Sequence, residues 1–192
     1  MPQIILASTS PYRRELLSRL RLPFATRSPD VAEAALEGEA PAVMAARLAL
    51  AKARSIAARG TVVIGSDQVA SLDSQVLRKP GTAEVAVAQL RACQGKVVLF
   101  HTAVAVIAND TGQTLQHVDR TAVRFRRLDD AALERYVRLD SPLDCAGSFK
   151  AEGLGVALFE QISSEDPTAL IGIPLIFVGH ALKELGADPL HA

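Results

Sequence analysis

The sequence predicts an α/β fold, a mixed and twisted sheet with flanking helices. Three observations predict it. Ile4-Ile5-Leu6-Ala7 and Val62-Val63-Ile64 are apolar, β-prone runs of the kind carried by strands buried on both faces. Stretches with helical apolar periodicity alternate with such runs along the chain. Residues 96–108 and 113–128 are two long β-prone runs joined by Asn109-Asp110-Thr111-Gly112, a hairpin signal, so part of the sheet is antiparallel.

The elements follow in order. Residues 3–7 form a buried strand. Ser10 is an N-cap and Pro11 suits the first helical position, so a helix runs to about Arg21. Residues 23–28 are a second short strand, and 29–40, polar and acidic, a loop. Pro41 opens a long Ala/Leu/Arg helix that reaches about Arg59 and ends at Gly60. Val62-Val63-Ile64 is the central strand. Residues 83–93 are helical, the hairpin follows, and 129–139 are helical again. Residues 153–162 are strand-like, and 174–186 form a C-terminal helix.

The chain has 192 residues, read as a single domain over 1–192 with a full core. Lys plus Arg (21) equals Asp plus Glu (21), so neither a nucleic acid nor a membrane surface is an expected partner, and any anion site is local. No apolar run approaches the roughly 20 residues that span a bilayer. The start, Met1-Pro2-Gln3-Ile4, has neither a charged leader nor an apolar signal core, which leads us to expect a cytoplasmic protein. Cys93 and Cys145 have no metal-type spacing and read as free thiols. With no Trp and two Tyr, base stacking along a nucleic acid is not expected.

Ser8, Ser10, Arg13 and Arg14 lie where the first strand gives way to a helix. The first N–H groups of a helix are unpaired and its dipole end is positive, so the place attracts anions; two guanidiniums make it a phosphate site. Asp67 follows the central strand and a Gly-Ser step, and α/β folds put ligands at the carboxyl ends of strands. It is a metal ligand or a base on water, or else a turn aspartate capping the next element. Lys79, stiffened by Pro80, reaches a phosphate or is simply solvated. Lys52 shares a helical stripe with Leu48 and Ser55, as a functional lysine or one snorkelling from an apolar face. Glu33 is a second metal ligand, or one more charge of a loop that also carries Glu37 and Glu39; a hard divalent cation on phosphates needs only one or two carboxylates. Lys150 and Glu152, two apart in the glycine-punctuated stretch 146–155, share a face if the segment is extended, and then both look into a cleft. There is no H-x-x-x-H, G-x-S-x-G, P-loop or G-x-G-x-x-G motif.

Taken jointly, these segments resemble the Maf nucleotide pyrophosphatases. Leu6-Ala7-Ser8-Thr9-Ser10-Pro11-Tyr12-Arg13-Arg14-Glu15-Leu16-Leu17 is similar to that family's signature. Gly65-Ser66-Asp67-Gln68-Val69, Lys79-Pro80, the segment 95–102, Ala146-Gly147-Ser148-Phe149-Lys150-Ala151-Glu152-Gly153 and Ile171-Gly172-Ile173-Pro174-Leu175 follow in the family's order, over essentially the whole chain. The resemblance implies two lobes around a central cleft, a Maf/ITPase-like fold, often as a homodimer. It implies hydrolysis of a nucleoside triphosphate between the α and β phosphates, with a divalent metal (Mg²⁺ or Mn²⁺). It implies Asp67 as proton acceptor for the attacking water, Ser8, Arg13, Lys52 and Lys79 at the phosphates, and Glu33 in the acidic loop. Ala32, Arg78 and Gln94 stand where the family often has aspartate, glycine and serine.

Tyr12, Gln68 and Glu152 resemble the branch acting on 7-methyl-GTP rather than the branch acting on pyrimidine nucleotides. Methylation at N7 makes guanine cationic. An aromatic face at position 12 stacks on a cation for about 0.5–2 kcal/mol, and the Glu152 carboxylate pairs with the base's charge or accepts its N–H groups. The expected role is removal of a modified nucleotide before it enters nucleic acid, with a link to cell-division arrest. The alternatives are a dTTP/UTP pyrophosphatase and a non-catalytic nucleotide-binding regulator of septation. If these three side chains set base choice, combining Tyr12→Arg, Gln68→Thr and Glu152→Gln should move preference from 7-methyl-GTP toward pyrimidine triphosphates in a substrate panel. An unchanged preference would overturn the assignment.

Overall fold

The computed structural model describes residues 1–56, 58–73 and 75–191. The elements are β1 (Gln3–Ala7), α1 (Pro11–Ser18), β2 (Phe24–Arg27), α2 (Pro41–Arg54), β3 (Thr61–Leu72), β4 (Gln75–Leu77), α3 (Ala83–Cys93), β5 (Val97–Ala108), β6 (Thr114–Phe125), α4 (Asp130–Asp140), β7 (Phe159–Ser163) and α5 (Leu175–Glu184). The sheet order is β2-β1-β3-β5-β6-β7, with β4 paired to β3. β1 runs parallel to β2 and β3, and every other pairing is antiparallel, so the sheet is mixed as its hairpin predicts.

Three of these strands, β3, β5 and β6, have 12 residues each. At roughly 3.3 Å per residue each spans about 40 Å, long enough to serve two separate cores. In the first half of β3 alternate residues face opposite ways. Val62 and Ile64 pack with Leu16 and Leu17 of α1 and Val178, Ala181 and Leu182 of α5. Val63 packs with Ile5, Ala105, Ile107 and Ala53 of α2 on the other face. Further along, Ala70 and Leu72 join Val98, Phe100, Val123 and Phe125 against Leu90 of α3, Leu133 and Tyr136 of α4, and Phe149. Phe149 meets Phe100, Phe125 and Phe159 edge-on, with ring centroids 5.1, 5.8 and 4.7 Å away, the geometry that aromatic quadrupoles favour. The change of packing partner falls near Ser66–Val69, so the middle of β3 is the seam between two lobes.

Gly65 fixes the approach of α2 to that seam. A Cβ at this position would lie 2.3 Å from the Ala49 carbonyl oxygen and 2.5 Å from the Ala53 nitrogen, both helix backbone. Only glycine lets helix and strand come so close.

Some element boundaries differ from those the sequence suggests, each for a local reason. α1 stops at Ser18, and Arg21 takes a left-handed φ of 59° that turns the chain so Leu22 enters the core. α2 ends at Arg54, where the Ser55 hydroxyl bonds the Lys52 carbonyl at 2.8 Å and Ile56 turns inward. β3 runs through Gly65-Ser66-Asp67-Gln68 to Leu72, well past its apolar beginning, because its polar middle lines a cleft instead of ending the strand. Of 153–162 only the end, from Phe159, is strand; residues 154–158 are a 3₁₀ turn folded against Lys150, whose carbonyl oxygen lies 2.3 Å from where a Gly155 Cβ would be.

Gly65→Ala forces α2 away from β3. Chemical denaturation should show a loss of about 3 kcal/mol, the upper end for one methyl pushed into a packed core. Unchanged stability would contradict the contact.

Candidate functional site

A cleft of about 590 Å³ opens where the lobes meet. Its floor is built by period-2 alternation along β3. Gly65 and Asp67 face α2, while Ser66 faces the other way, its hydroxyl lying 2.8 Å from the Ala103 carbonyl and 2.9 Å from that of Gly172. Because α2 rests on Gly65, Lys52 projects directly over Asp67. Lys52 Nζ sits 2.6 Å from Asp67 Oδ1 and 2.6 Å from Glu33 Oε1. Lys52 and Asp67 are 5% and 7% exposed, so both charges are withdrawn from water and each requires the other. Glu33 arrives from the acidic loop and stays open to solvent. Its hydrogen bond from Lys52 holds its carboxyl below the usual range, helped by the charges of Lys52, Lys79 and Arg13.

The opposite wall is the turn into α1. The Ser8 hydroxyl accepts from the Ser10 N–H (3.1 Å), and the Ser10 hydroxyl caps the helix by accepting from the Arg13 N–H (3.4 Å). Arg13 Nε donates to the Gly172 carbonyl at 2.9 Å, the same oxygen that Ser66 approaches. Gly172 has φ +135°, and a Cβ there would lie 3.3 Å from Arg13 Nε, so a glycine gives the arginine its seat. Burial pulls the Arg13 pKa down, opposed by the Asp67 and Glu33 carboxylates. Lys79 is exposed and lines the cleft.

Ser8, Arg13, Glu33, Lys52, Asp67 and Lys79 therefore share one cleft, joined by Tyr12, Gln68 and Glu152. Two expectations are corrected. Arg14 is exposed and is not among the cleft-lining residues, because one helical step of 100° past Arg13 turns it outward. Lys150 does not face the cleft beside Glu152. The segment is a tight turn, not an extended one, and Lys150 Nζ donates back to the Asp140 carbonyl at 2.7 Å. Gln68 does line the cleft, yet its amide nitrogen is held by Thr102 Oγ1 (2.9 Å) and the carbonyls of Leu170 (3.0 Å) and Ala169 (3.1 Å). It ties the turn at 169–171 to the sheet as well as lining the cleft.

Tyr12, which also lines the cleft, is half-buried, and burial raises its phenol pKa. Partial burial also raises the Glu152 carboxyl, with Asp140 and Glu15 adding to the effect and Lys150 opposing it. A carboxylate in such surroundings gains from a cationic partner. The cleft thus holds a cationic group, Arg13, Lys52 and Lys79, around Glu33, and an aromatic and acidic pair, Tyr12 and Glu152.

Sequence reasoning missed the residues that hold the Gly172 loop. Asp166, 3% exposed, accepts from the Thr168 N–H (2.8 Å) and hydroxyl (2.6 Å) and caps α5 by accepting from the Ile176 N–H (2.8 Å). Asp119 Oδ2 accepts in turn from the Asp166 N–H at 3.3 Å. Asp166-Pro167-Thr168 is a readable turn signal, an aspartate that accepts from the N–H two residues on. Asp119 shares its face of β6 with Thr121 and Val123, all buried, a polar residue at an inward position.

Among the described residues no group of three or more His, Cys, Asp or Glu side chains converges on a point. Two carboxylates do, Glu33 and Asp67, each with an oxygen 2.6 Å from Lys52 Nζ. The donor set suits a hard divalent cation that takes its remaining ligands from water and phosphate.

A family model described as Maf-like protein matches residues 3–185. The 7-methyl-GTP pyrophosphatase of Albidiferax ferrireducens is 52% identical over 192 residues, covering 99% of this chain and 96% of that protein. That of Xanthomonas oryzae pv. oryzae (strain MAFF 311018) is 54% identical, covering 97% and 98%. The same-named protein of Bordetella pertussis is 54% identical, covering 98% and 95%. Among solved structures, a HAM1 protein from Coxiella burnetii is 18% identical, with a TM-score of 0.53 over 100% of both chains, a likeness of fold.

The Glu33–Lys52 contact carries a pH signature. Because the folded-state pKa of Glu33 lies below its ordinary 4.5, this pairing stabilises the fold above about pH 4.5, and the contribution fades as pH falls through the lowered value. In Lys52→Met, carboxyl NMR should find Glu33 titrating closer to 4.5. At neutral pH the variant should lose about 3 kcal/mol, since Asp67 is left buried and unpaired. A Glu33 titration identical to wild type would refute the contact.

Proposed function

We infer that this chain, which belongs to the Maf family, is a nucleoside triphosphate pyrophosphatase that hydrolyses 7-methyl-GTP between its α and β phosphates, giving 7-methyl-GMP and pyrophosphate. The observation that carries the reading is one cleft lined by both the Lys52–Asp67 pair with Arg13 and Lys79 and the Tyr12–Glu152 pair. Relatives over half identical along nearly their whole length bear the name 7-methyl-GTP pyrophosphatase, which supports the same substrate.

Displacement at phosphorus asks a protein mainly for charge neutralisation, positioning and an oriented water. In this reading Asp67 orients the attacking water and takes its proton, while Lys52 keeps that carboxylate aimed. Ser8, Arg13 and Lys79 hold the triphosphate. Asp67 and Glu33 would hold a divalent cation, Mg²⁺ or Mn²⁺, which would neutralise phosphate charge when bound. Tyr12 stacks on the cationic purine and Glu152 pairs with its charge, Gln68 completing the pocket. The reading takes the protein to be cytoplasmic and homodimeric, a housekeeper of the nucleotide pool. Among the described residues no helix is long and apolar enough to cross a membrane.

The test is a product assay with 7-methyl-GTP, GTP, dTTP, UTP and CTP, in Mg²⁺ and in Mn²⁺, alongside Asp67→Asn. Selective release of 7-methyl-GMP and pyrophosphate is expected, with kcat reduced about 10²–10⁴-fold in Asp67→Asn, the usual range for a lost general base. Preference for dTTP or UTP would overturn the base assignment alone. Nucleotide binding without turnover of any substrate would favour a non-catalytic regulator.

A further inference from the structure

We propose that Arg47 and Glu39, neither of which lines the cleft, are positioning residues that clamp the acidic loop onto α2 and so hold Glu33 at Lys52. Residues 28–40 contain no helix or strand, and Glu33 sits near their middle. Its side chain is 57% exposed, yet its Oε1 lies 2.6 Å from a nearly buried ammonium. A carboxylate so open to water keeps that place only if its backbone is restrained.

The restraint is visible in the residues that follow it. Arg47 Nε donates to Glu39 Oε1 at 2.6 Å, and its Nη2 donates to Glu39 Oε2 at 2.7 Å. The same Nη2 donates to the carbonyl of Ala34, the residue after Glu33, at 3.1 Å. Glu39 Oε2 also accepts from the Leu36 N–H at 3.1 Å. One guanidinium therefore grips the loop at Ala34 and Glu39, and the carboxylate it holds ties back to Leu36. The Glu39 side chain is only 3% exposed, unlike an ordinary surface ion pair. A two-pronged fork of this kind fixes direction as well as distance, which a lysine ammonium does not.

Both ends of the device stand on α2. Arg47 and Lys52 are five residues apart, about 7.5 Å along the helix axis at 1.5 Å per residue. The helix that seats on Gly65 to place Lys52 over Asp67 thus also places the clamp that brings Glu33 to the same ammonium. Of the loop's acidic side chains, Glu33 and Glu39 are the two with ion-pair partners among the described residues.

The test combines a substrate-free readout with kinetics, the latter resting on the proposed activity. In Arg47→Met the ¹⁵N resonance of the Lys52 ammonium should move to its position in Glu33→Ala, with Glu39→Gln reproducing the shift should Arg47→Met fold poorly. The kcat/KM for 7-methyl-GTP should fall about 10–100-fold, the usual cost of removing a group that orients a ligand. Arg47→Met added to Glu33→Ala should cost nothing further, because a residue acting through Glu33 is silent once Glu33 is gone. Arg47→Lys should recover only part of the loss. An unmoved Lys52 resonance, or losses that multiply in the double variant, would overturn the proposal. A moved resonance in a protein that turns over no 7-methyl-GTP would leave the clamp standing and sink the proposed function.

Discussion

At Gly65 the chain has no side chain, and there α2 lies with its backbone against β3. The rest of the site depends on that contact. It sets Lys52 over Asp67 with both nearly out of water. A buried pair of opposite charges is costly to form and more costly to break, so once the helix is seated neither side chain has another place to go. Asp67 then sits on a rigid strand with its direction fixed, which an oriented carboxylate requires.

The second wall is fastened through one carbonyl. The oxygen of Gly172 receives Arg13 from α1 and lies beside Ser66 from β3. Its loop is held by Asp166 and Thr168, which also cap α5, and by Gln68, which reaches across from the strand that carries Asp67. Arg13 is thereby positioned from three directions, and a conformational change in 166–176 would displace it. The same geometry gives Gln68 a double duty, so a substitution there alters the frame of the cleft as well as what faces the ligand.

Electrostatics divide the cleft. One ammonium between two carboxylates leaves Lys52 locally outnumbered, and Arg13 and Lys79 restore the positive field that a triphosphate needs. Glu152 feels the charges of Asp140 and Glu15, opposed by Lys150, whose ammonium donates to the Asp140 carbonyl. A neutral base gains little from such surroundings, whereas a base with a fixed positive charge gains a partner.

Much of this was legible in the order of residues. Period-2 runs, the Asn109–Gly112 turn and the Ser10-Pro11 start gave the mixed sheet and the first helix, because they are local signals that act over a few residues. It is the resemblance to the Maf family that puts Ser8, Arg13, Lys52, Asp67 and Lys79 in one site. Arg14 was not separable from Arg13 by sequence, since both sit in the same charged motif and only the rotation of a short helix decides which faces inward. Lys150 was misread for a like reason: its direction depends on a turn that Gly155 makes possible. Likewise only the family resemblance marks Glu33 among the loop's acids, and nothing in the chain distinguishes Glu39 from Glu37, because what differs is a partner on α2. By itself the sequence determined which residues carry charge and which segments become strand or helix. Only the tertiary structure decided which charges meet, because pairing across the cleft is a matter of distances between elements that no local pattern encodes.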